Sequence, residues 1–231
     1  MEQITLKNVT IQYENKKVID NLSFSINKGD YICVLGDNGS GKTTLIKGIL
    51  GLLKIKSGEI NFNIKKNCVG YLPQQTQIQQ DFPACVNEIV MSGLISKKGL
   101  RPFFLKKEKE IAEKNMDKLG ISHLRKKHFS ELSGGQQQRV LIARALCAGE
   151  EILFLDEPVN TLDNETASDF YAVLSRLNRE GITIFMISHD KELAVFNAKK
   201  ILYLSNEVFF GTKQEFEKMN FKEANFKNGI N

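Results

Sequence analysis

A run of five apolar residues, Tyr31-Ile32-Cys33-Val34-Leu35, leads straight into Gly36-Asp37-Asn38-Gly39-Ser40-Gly41-Lys42-Thr43, and helical spacing follows from Lys42 to Leu53. No other feature limits the fold as tightly. A short continuous apolar run is expected as a strand buried in a parallel sheet, with a helix next in the chain to cover it. The octet between them fits G-x-x-x-x-G-K-[ST], and the strand–loop–helix context is the one that gives this pattern its meaning. Its glycines let backbone N–H groups point at phosphate oxygens with no Cβ in the way. The helix start adds partial positive charge. Gly36, Asn38, Gly39, Ser40, Gly41, Lys42, Thr43 and Thr44 are therefore the candidate triphosphate residues. Lys42 is expected to reach the β- and γ-phosphates, and the Thr43 hydroxyl to ligate Mg²⁺.

A second apolar run, Ile152-Leu153-Phe154-Leu155, ends in Asp156-Glu157, with Pro158 halting the strand. Open parallel sheets bind ligands at the carboxyl ends of their strands, so Asp156 is placed to hold Mg²⁺. Glu157 is placed to act as general base on an attacking water. Between the two runs lies Leu132-Ser133-Gly134-Gly135-Gln136, at the head of a helix expected over Ser133–Ala148. Ser133 and Gln136 satisfy S-x-x-Q, an ordinary capping box. The two glycines also permit a phosphate to approach a helix N-terminus closely. A single nucleotide site has no task for this third segment, which points to a second copy of the chain.

The remainder suits one domain of 231 residues, enough to bury a full core. Val9, Ile11 and Tyr13, then Leu22, Phe24 and Ile26, alternate as strands do, with a hairpin turn expected at 14–17; Ile60, Phe62 and Ile64 alternate again. Helical spacing returns from Lys106 to Leu119, with Gly120 as a stop. Ile182–Ile187 is a further strand, and the tail from about 212 to 231 reads as a peripheral helix with a loose end. Cys33, Cys68, Cys85 and Cys147 are scattered without a C-x-x-C pair and are expected as free thiols. No apolar stretch reaches the length of about 18 residues that a membrane span needs, and no signal peptide is visible at Met1–Thr5. The net charge is +5, with much of the excess between Lys97 and Lys127. A solvated helical face accounts for that; a surface facing anionic lipid or nucleic acid is the other reading.

Taken together, phosphate loop, Leu132–Gln136 segment and Leu155-Asp156-Glu157-Pro158 strand end resemble the nucleotide-binding subunit of ATP-binding cassette (ABC) transporters over nearly the whole chain. The resemblance implies an α/β fold: a P-loop NTPase core with a mainly parallel sheet, an N-terminal antiparallel β subdomain, and an α-helical subdomain inserted at about 80–140. It implies ATP and Mg²⁺ as ligands. Gln74, in Tyr71-Leu72-Pro73-Gln74, matches the family's Q-loop glutamine at the Mg²⁺ and catalytic water. His189, in Ile187-Ser188-His189-Asp190, matches the switch histidine that senses the γ-phosphate. Tyr13 matches the aromatic that stacks on adenine, and Asn160-Thr161-Leu162-Asp163 stands where the D-loop belongs, with Asp163 among the nucleotide-site residues. Two copies would pack head to tail, so Ser133, Gly134, Gly135 and Gln136 would serve the ATP of the partner.

The same resemblance implies integral-membrane permease subunits as partners, an extracytoplasmic solute-binding protein for an importer, and residence at the cytoplasmic face of a cell membrane. The stretch Asp81-Phe82-Pro83-Ala84-Cys85-Val86 to Gly93 is similar to one common in importers of zinc, manganese or iron, with Cys85 where Thr is usual. Iron-chelate and cobalamin importers carry related segments and remain an alternative, as does a soluble ABC clamp on nucleic acid or the ribosome. Against the clamp stand the single glycine loop and the short interval from Gln74 to Ser133, so no specific nucleic-acid partner is expected. A regulatory module without turnover is disfavoured by the intact Lys42, Asp156, Glu157 and His189.

Overall fold

The computed structural model describes residues 1–13, 16–74, 83–160, 162–189, 191–205 and 208–219. Strands β1 (Glu2–Tyr13), β2 (Lys16–Asn27) and β4 (Ser57–Phe62) form an antiparallel sheet in the order β2-β1-β4. A second sheet orders β5 (Val69–Leu72), β6 (Ile152–Asp156), β7 (Thr183–Ile187), β3 (Tyr31–Gly36), β8 (Lys200–Leu204) and β9 (Phe209–Thr212) side by side. All its pairs are parallel except β8 with β9. The helices are α1 (Lys42–Ile49), α2 (Val86–Ser92), α3 (Ile95–Lys98), α4 (Lys106–Lys118), α5 (Gly134–Ala148), α6 (Asn164–Arg179) and α7 (Lys191–Asn197), with a further helical segment over 213–219. The α/β class, with an antiparallel N-terminal sheet beside a mostly parallel one, is the class expected.

Successive side chains of a strand face opposite ways, and the central strands use both faces. Ile32, Val34, Phe154 and Phe185 point toward α1 and the antiparallel sheet, where they join Leu45 and Ile46 in one core. Cys33, Leu35, Leu155 and Met186 point the other way into a second core with Leu146 of α5 and Leu174 of α6. Each such side chain contributes about 1.5–3 kcal/mol by leaving water, so the sheet is held from both sides. Polar contacts then fix how the two sheets meet. Buried Asn178 of α6 donates from Nδ2 to Ile182 O at 2.8 Å and lies 3.1 Å from Asp30 O. Thr183 Oγ1 accepts from Gly29 N at 2.9 Å and donates to Gln3 Oε1 at 2.6 Å.

Parallel register decides where the strands end. Leu72 pairs with Leu155, Asp156 with Ile187, and Ile187 with Val34. The residues that follow these strands, Gln74, Glu157, His189 and the glycine loop, therefore leave the sheet along one edge.

Several boundaries differ from expectation. Helix α1 stops at Ile49 rather than Leu53. Gly51 takes a φ of 71°, Leu52 N donates to Lys47 O at 2.8 Å, and Gly51 N donates to Gly48 O at 3.1 Å. This left-handed glycine turn satisfies the terminal carbonyls and ends the helix. Gly120, φ 68°, closes α4 in the same way, as expected. Strand β4 ends at Phe62, short of Ile64, and β7 begins at Thr183, one residue after Ile182. Of the turn expected at 14–17, Lys16 and Lys17 instead open β2; residues 14–15, Asp81, Phe82, Thr161, Asp190, and the tail beyond 219 with Phe221 and Phe226 lie outside the described residues.

Helix α2 crosses α5 so closely that a Cβ at Gly93 would stand 2.1 Å from Arg144 O. Gly93 has an ordinary helical φ of −62°, so only space demands glycine there. Gly93→Ala is expected to cost about 1–3 kcal/mol, read as a lower midpoint in urea unfolding with an unchanged slope.

Candidate nucleotide site

The glycine loop leaves β3 at Gly36, where the backbone turns to φ 146°. A Cβ there would lie 2.2 Å from Leu204 O of β8, so the loop can reverse only through a bare residue. Gly39 and Gly41 also hold positive φ, at 79° and 94°. Asn38 is exposed at the loop's outer turn, and Ser40 N donates to Asp37 O at 3.1 Å. The Ser40 hydroxyl is buried without a hydrogen-bond partner among the described residues. Lys42 and Thr43 open α1, with Thr44 half-buried behind them. Lys42 is only 5 % exposed, and its Nζ donates to Gly36 O at 2.9 Å and Asp37 O at 2.8 Å. Burial lowers its pKa, opposed by the charges of Glu157, Asp37 and Asp156.

Across β7, the Thr43 hydroxyl donates to Asp156 Oδ1 at 3.0 Å. Asp156 is 1 % exposed, and its Oδ2 is buried with no hydrogen-bond partner among the described residues. Burial raises its pKa above the usual carboxylate range; the Thr43 hydrogen bond lowers it and the Glu157 charge raises it further. A hydroxyl oxygen beside a carboxylate with one unengaged oxygen is a donor set that suits Mg²⁺, a hard cation that takes few protein ligands and keeps phosphates and waters. No group of three or more His, Cys, Asp or Glu gathers anywhere among the described residues.

Glu157 is the meeting point of three segments, those that follow β5, β6 and β7. Gln74, just past β5, donates from Nε2 to Glu157 Oε2 at 2.7 Å. Asn160 Nδ2 donates to the same oxygen. His189 Nε2 lies 2.5 Å from Glu157 Oε1. An ionised carboxylate only accepts, so the histidine donates. The residue before His189, Ser188, is buried with its hydroxyl 2.9 Å from the Tyr171 hydroxyl of α6. Glu157 has a φ of 52°, although it is not glycine and precedes Pro158. Such a backbone costs on the order of 1–3 kcal/mol and is held only by its surroundings. The structure thus brings Gln74, Glu157 and His189 together from positions far apart in sequence. It adds Asn160, which the sequence reading left without a role. Its advance signal was its place at the head of the D-loop segment, three residues after the carboxylate.

The Leu132–Gln136 segment is built as a helix start. Ser133 caps α5: Gln136 N donates to Ser133 Oγ at 3.4 Å, and Ser133 N donates to Gln136 Oε1 at 3.1 Å. Among the described residues no hydrogen bond joins it to Lys42, Thr43, Asp156 or Glu157. Its glycines are pressed from behind: a Cβ on Gly135 would meet Thr166 Cγ2 at 2.5 Å, and one on Gly134 would meet Leu162 Cδ2 at 3.1 Å. Asp163 caps α6, accepting from Thr166 N at 2.9 Å and from Thr166 Oγ1 at 2.8 Å. These bonds lower its pKa. Tyr13 ends β1 opposite Lys16, and its side chain lies outside the described part of the structure.

Residues 19–160 match the model of the ABC transporter family, and the chain belongs to that family as an ATP-binding subunit. It is 35 % identical to the "Manganese transport system ATP-binding protein MntB" of Bacillus subtilis, over 97 % of this chain and 92 % of that one. It is 35 % identical to the "Zinc uptake system ATP-binding protein ZurA" of Listeria monocytogenes, over 93 % of this chain and 87 % of that one. Among solved structures, the ADP conformation of MJ1267, an ATP-binding cassette of an ABC transporter, superposes with a TM-score of 0.82 at 27 % identity, covering 92 % of this chain and 91 % of that one.

The electrostatics of Asp156 give a sign. Its pKa is raised by folding, so the folded chain binds that proton more readily than the unfolded one. Stability from this group therefore falls as pH rises through the raised value. Asp156→Asn is expected to raise the melting temperature of the nucleotide-free protein at pH 7, and the gain is expected to fade as pH falls through the raised value and to be gone below about pH 4. Differential scanning fluorimetry across pH checks both.

Proposed function

We propose that this chain hydrolyses ATP in a Mg²⁺-dependent reaction that drives import of a divalent metal ion, manganese or zinc, through separate permease subunits at the cytoplasmic face of a membrane. The observation that carries the enzymatic part is the convergence of Gln74, Asn160 and His189 on Glu157, one residue from the Thr43–Asp156 pair. The names of the manganese and zinc relatives support the cargo. Among the described residues no helix is long and apolar enough to cross a membrane, so under this reading the translocation path belongs to the partner. The segment from about 80 to 140 serves as the helical subdomain that meets it.

In this reading the glycine loop holds the triphosphate through its backbone N–H groups, and Lys42 turns from the Gly36 and Asp37 carbonyls to the β- and γ-phosphates. Thr43 and Asp156 would hold Mg²⁺, which would supply positive charge to the phosphates. Glu157 accepts the proton of the attacking water as the new P–O bond forms and the bond to the ADP oxygen breaks. His189 fixes one oxygen of that carboxylate, and Gln74 with Asn160 fixes the other. These three donors use three of the roughly four acceptor sites of a carboxylate, which leaves a site on Oε1 for the attacking water. The Ser133 turn of a second copy closes over the same ATP, with Asp163 and its loop at the junction. A solute-binding protein outside the cell would deliver the cargo.

Glu157→Gln keeps the shape and removes the base. With ATP and Mg²⁺ it is expected to elute as a dimer in gel filtration, and its turnover is expected to fall by about 10²–10⁴. A monomer under all conditions would sink the two-copy site while leaving hydrolysis open. For the cargo, cells lacking the gene are expected to hold less manganese or zinc by plasma mass spectrometry. Unchanged contents of both, with loss of another solute, would move the assignment.

A further inference from the structure

Far from the nucleotide residues, the turn joining α3 to α4 presents an unusual surface. Ile95, Leu100, Phe103 and Leu105 are 59, 106, 81 and 56 % exposed. Isolated exposed apolar residues need no explanation, but four within eleven positions form a patch. The patch stands among charge of one sign. Residues 95–110 carry six cationic side chains against Glu108 and Glu110, a net +4 of the chain's +5.

Three details show that this turn is built rather than slack. Arg101 donates from Nε to Lys98 O at 2.9 Å and from Nη2 to Glu108 Oε1 at 2.5 Å. Glu108 Oε2 accepts from Leu105 N at 2.7 Å. One part-buried ion pair therefore fixes both ends of the turn and leaves the segment with a cationic excess. Phe104 packs inward against the core with Lys98 Nζ 4.8 Å from its ring centre, while its neighbour Phe103 faces out. Lys106, Lys107 and Lys109 occupy the first turn of α4, where the helix dipole disfavours cations. The exposed pair of Lys106 with Glu110 offsets little of that cost, and Lys107 and Lys109 face solvent.

We propose that the α3–α4 turn is a contact for an anionic lipid surface, with Leu100 and Phe103 entering the headgroup–acyl boundary and Lys106, Lys107 and Lys109 facing the headgroups. An apolar tip ringed by lysines is complementary to such a surface in both charge and polarity. A protein partner would need matching acidic groups around an apolar socket. The proposal borrows from the function above only the nearness of a bilayer, and its test uses neither permease nor ATP turnover.

The full chain is to be floated with vesicles of phosphatidylcholine alone and of phosphatidylcholine with phosphatidylglycerol at roughly three to one. Binding is expected only to the anionic vesicles and is expected to weaken with salt. Leu100→Ser with Phe103→Ser is expected to lower the partition by about tenfold. Lys106→Glu with Lys107→Glu is expected to lower it by about fivefold or more per residue. Lys7→Glu with Lys28→Glu changes the net charge equally at exposed sites elsewhere and is expected to bind like wild type. ATPase rates of the Leu100/Phe103 variant separate a surface effect from damage to the nucleotide site. The proposal is overturned if no anionic vesicle binds, or if the Lys7/Lys28 variant weakens as much. It is also overturned if the turn's variants leave vesicle binding intact and release only a co-purified permease, which would make the patch a protein socket.

Discussion

Everything in this molecule hangs on three buried strands, β3, β6 and β7, lying parallel and in step. Hydrophobic burial on both faces holds them, and parallel hydrogen bonding aligns their ends. The alignment carries the glycine loop, the Asp156–Glu157 pair and His189 to one edge without any of them contributing to the core. A slip of one residue in any of the three strands would reverse its faces and scatter the site. Chemistry and stability are therefore separable here: the strands supply position, and the residues beyond their ends supply reactivity.

The edge residues give back some of that stability. Asp156 is buried with an oxygen unengaged, Lys42 is bent onto backbone carbonyls, and Glu157 occupies left-handed backbone beside a proline. Each conflicts with what folding alone prefers. Such conflicts gather where a ligand will later supply the missing contacts.

What the sequence displayed, it displayed through strong local patterns. Ile152–Leu155 and Ile182–Ile187 are short apolar runs whose length suits buried strands. Ser133 with Gln136 announced a capped helix, and Gly120 announced its neighbour's end. Less legible were elements whose pattern is diluted. Strand β5 contains Gly70, which leaves room for α5, since a Cβ there would stand 2.5 Å from Ala145 O. Strand β8 takes its place beside β3, and the four-residue β9 pairs only with β8. Helix α1 appeared longer because Leu50, Leu52 and Leu53 continue an apolar pattern past the turn that Gly51 imposes. In the site, Gln74, Glu157 and His189 were visible through the family resemblance, but their mutual contact is a matter of strand order, which no spacing reveals. Asn160 was hidden for the same reason.

The glycines at 134 and 135 have a backing as well as a front. Leu162 and Thr166 touch the positions where their side chains would be, and Asp163, between those two residues, caps the helix that carries Thr166. The Ser133 turn and the Asp163 turn are thus two teeth on one gear. If two copies meet head to tail, each copy would offer one tooth to each neighbouring ATP. Displacing the Ser133 turn at one nucleotide would then shift the Asp163 turn toward or away from the other. Two sites built on such a block cannot be independent, and their coupling would need no conformational signal to cross the sheet.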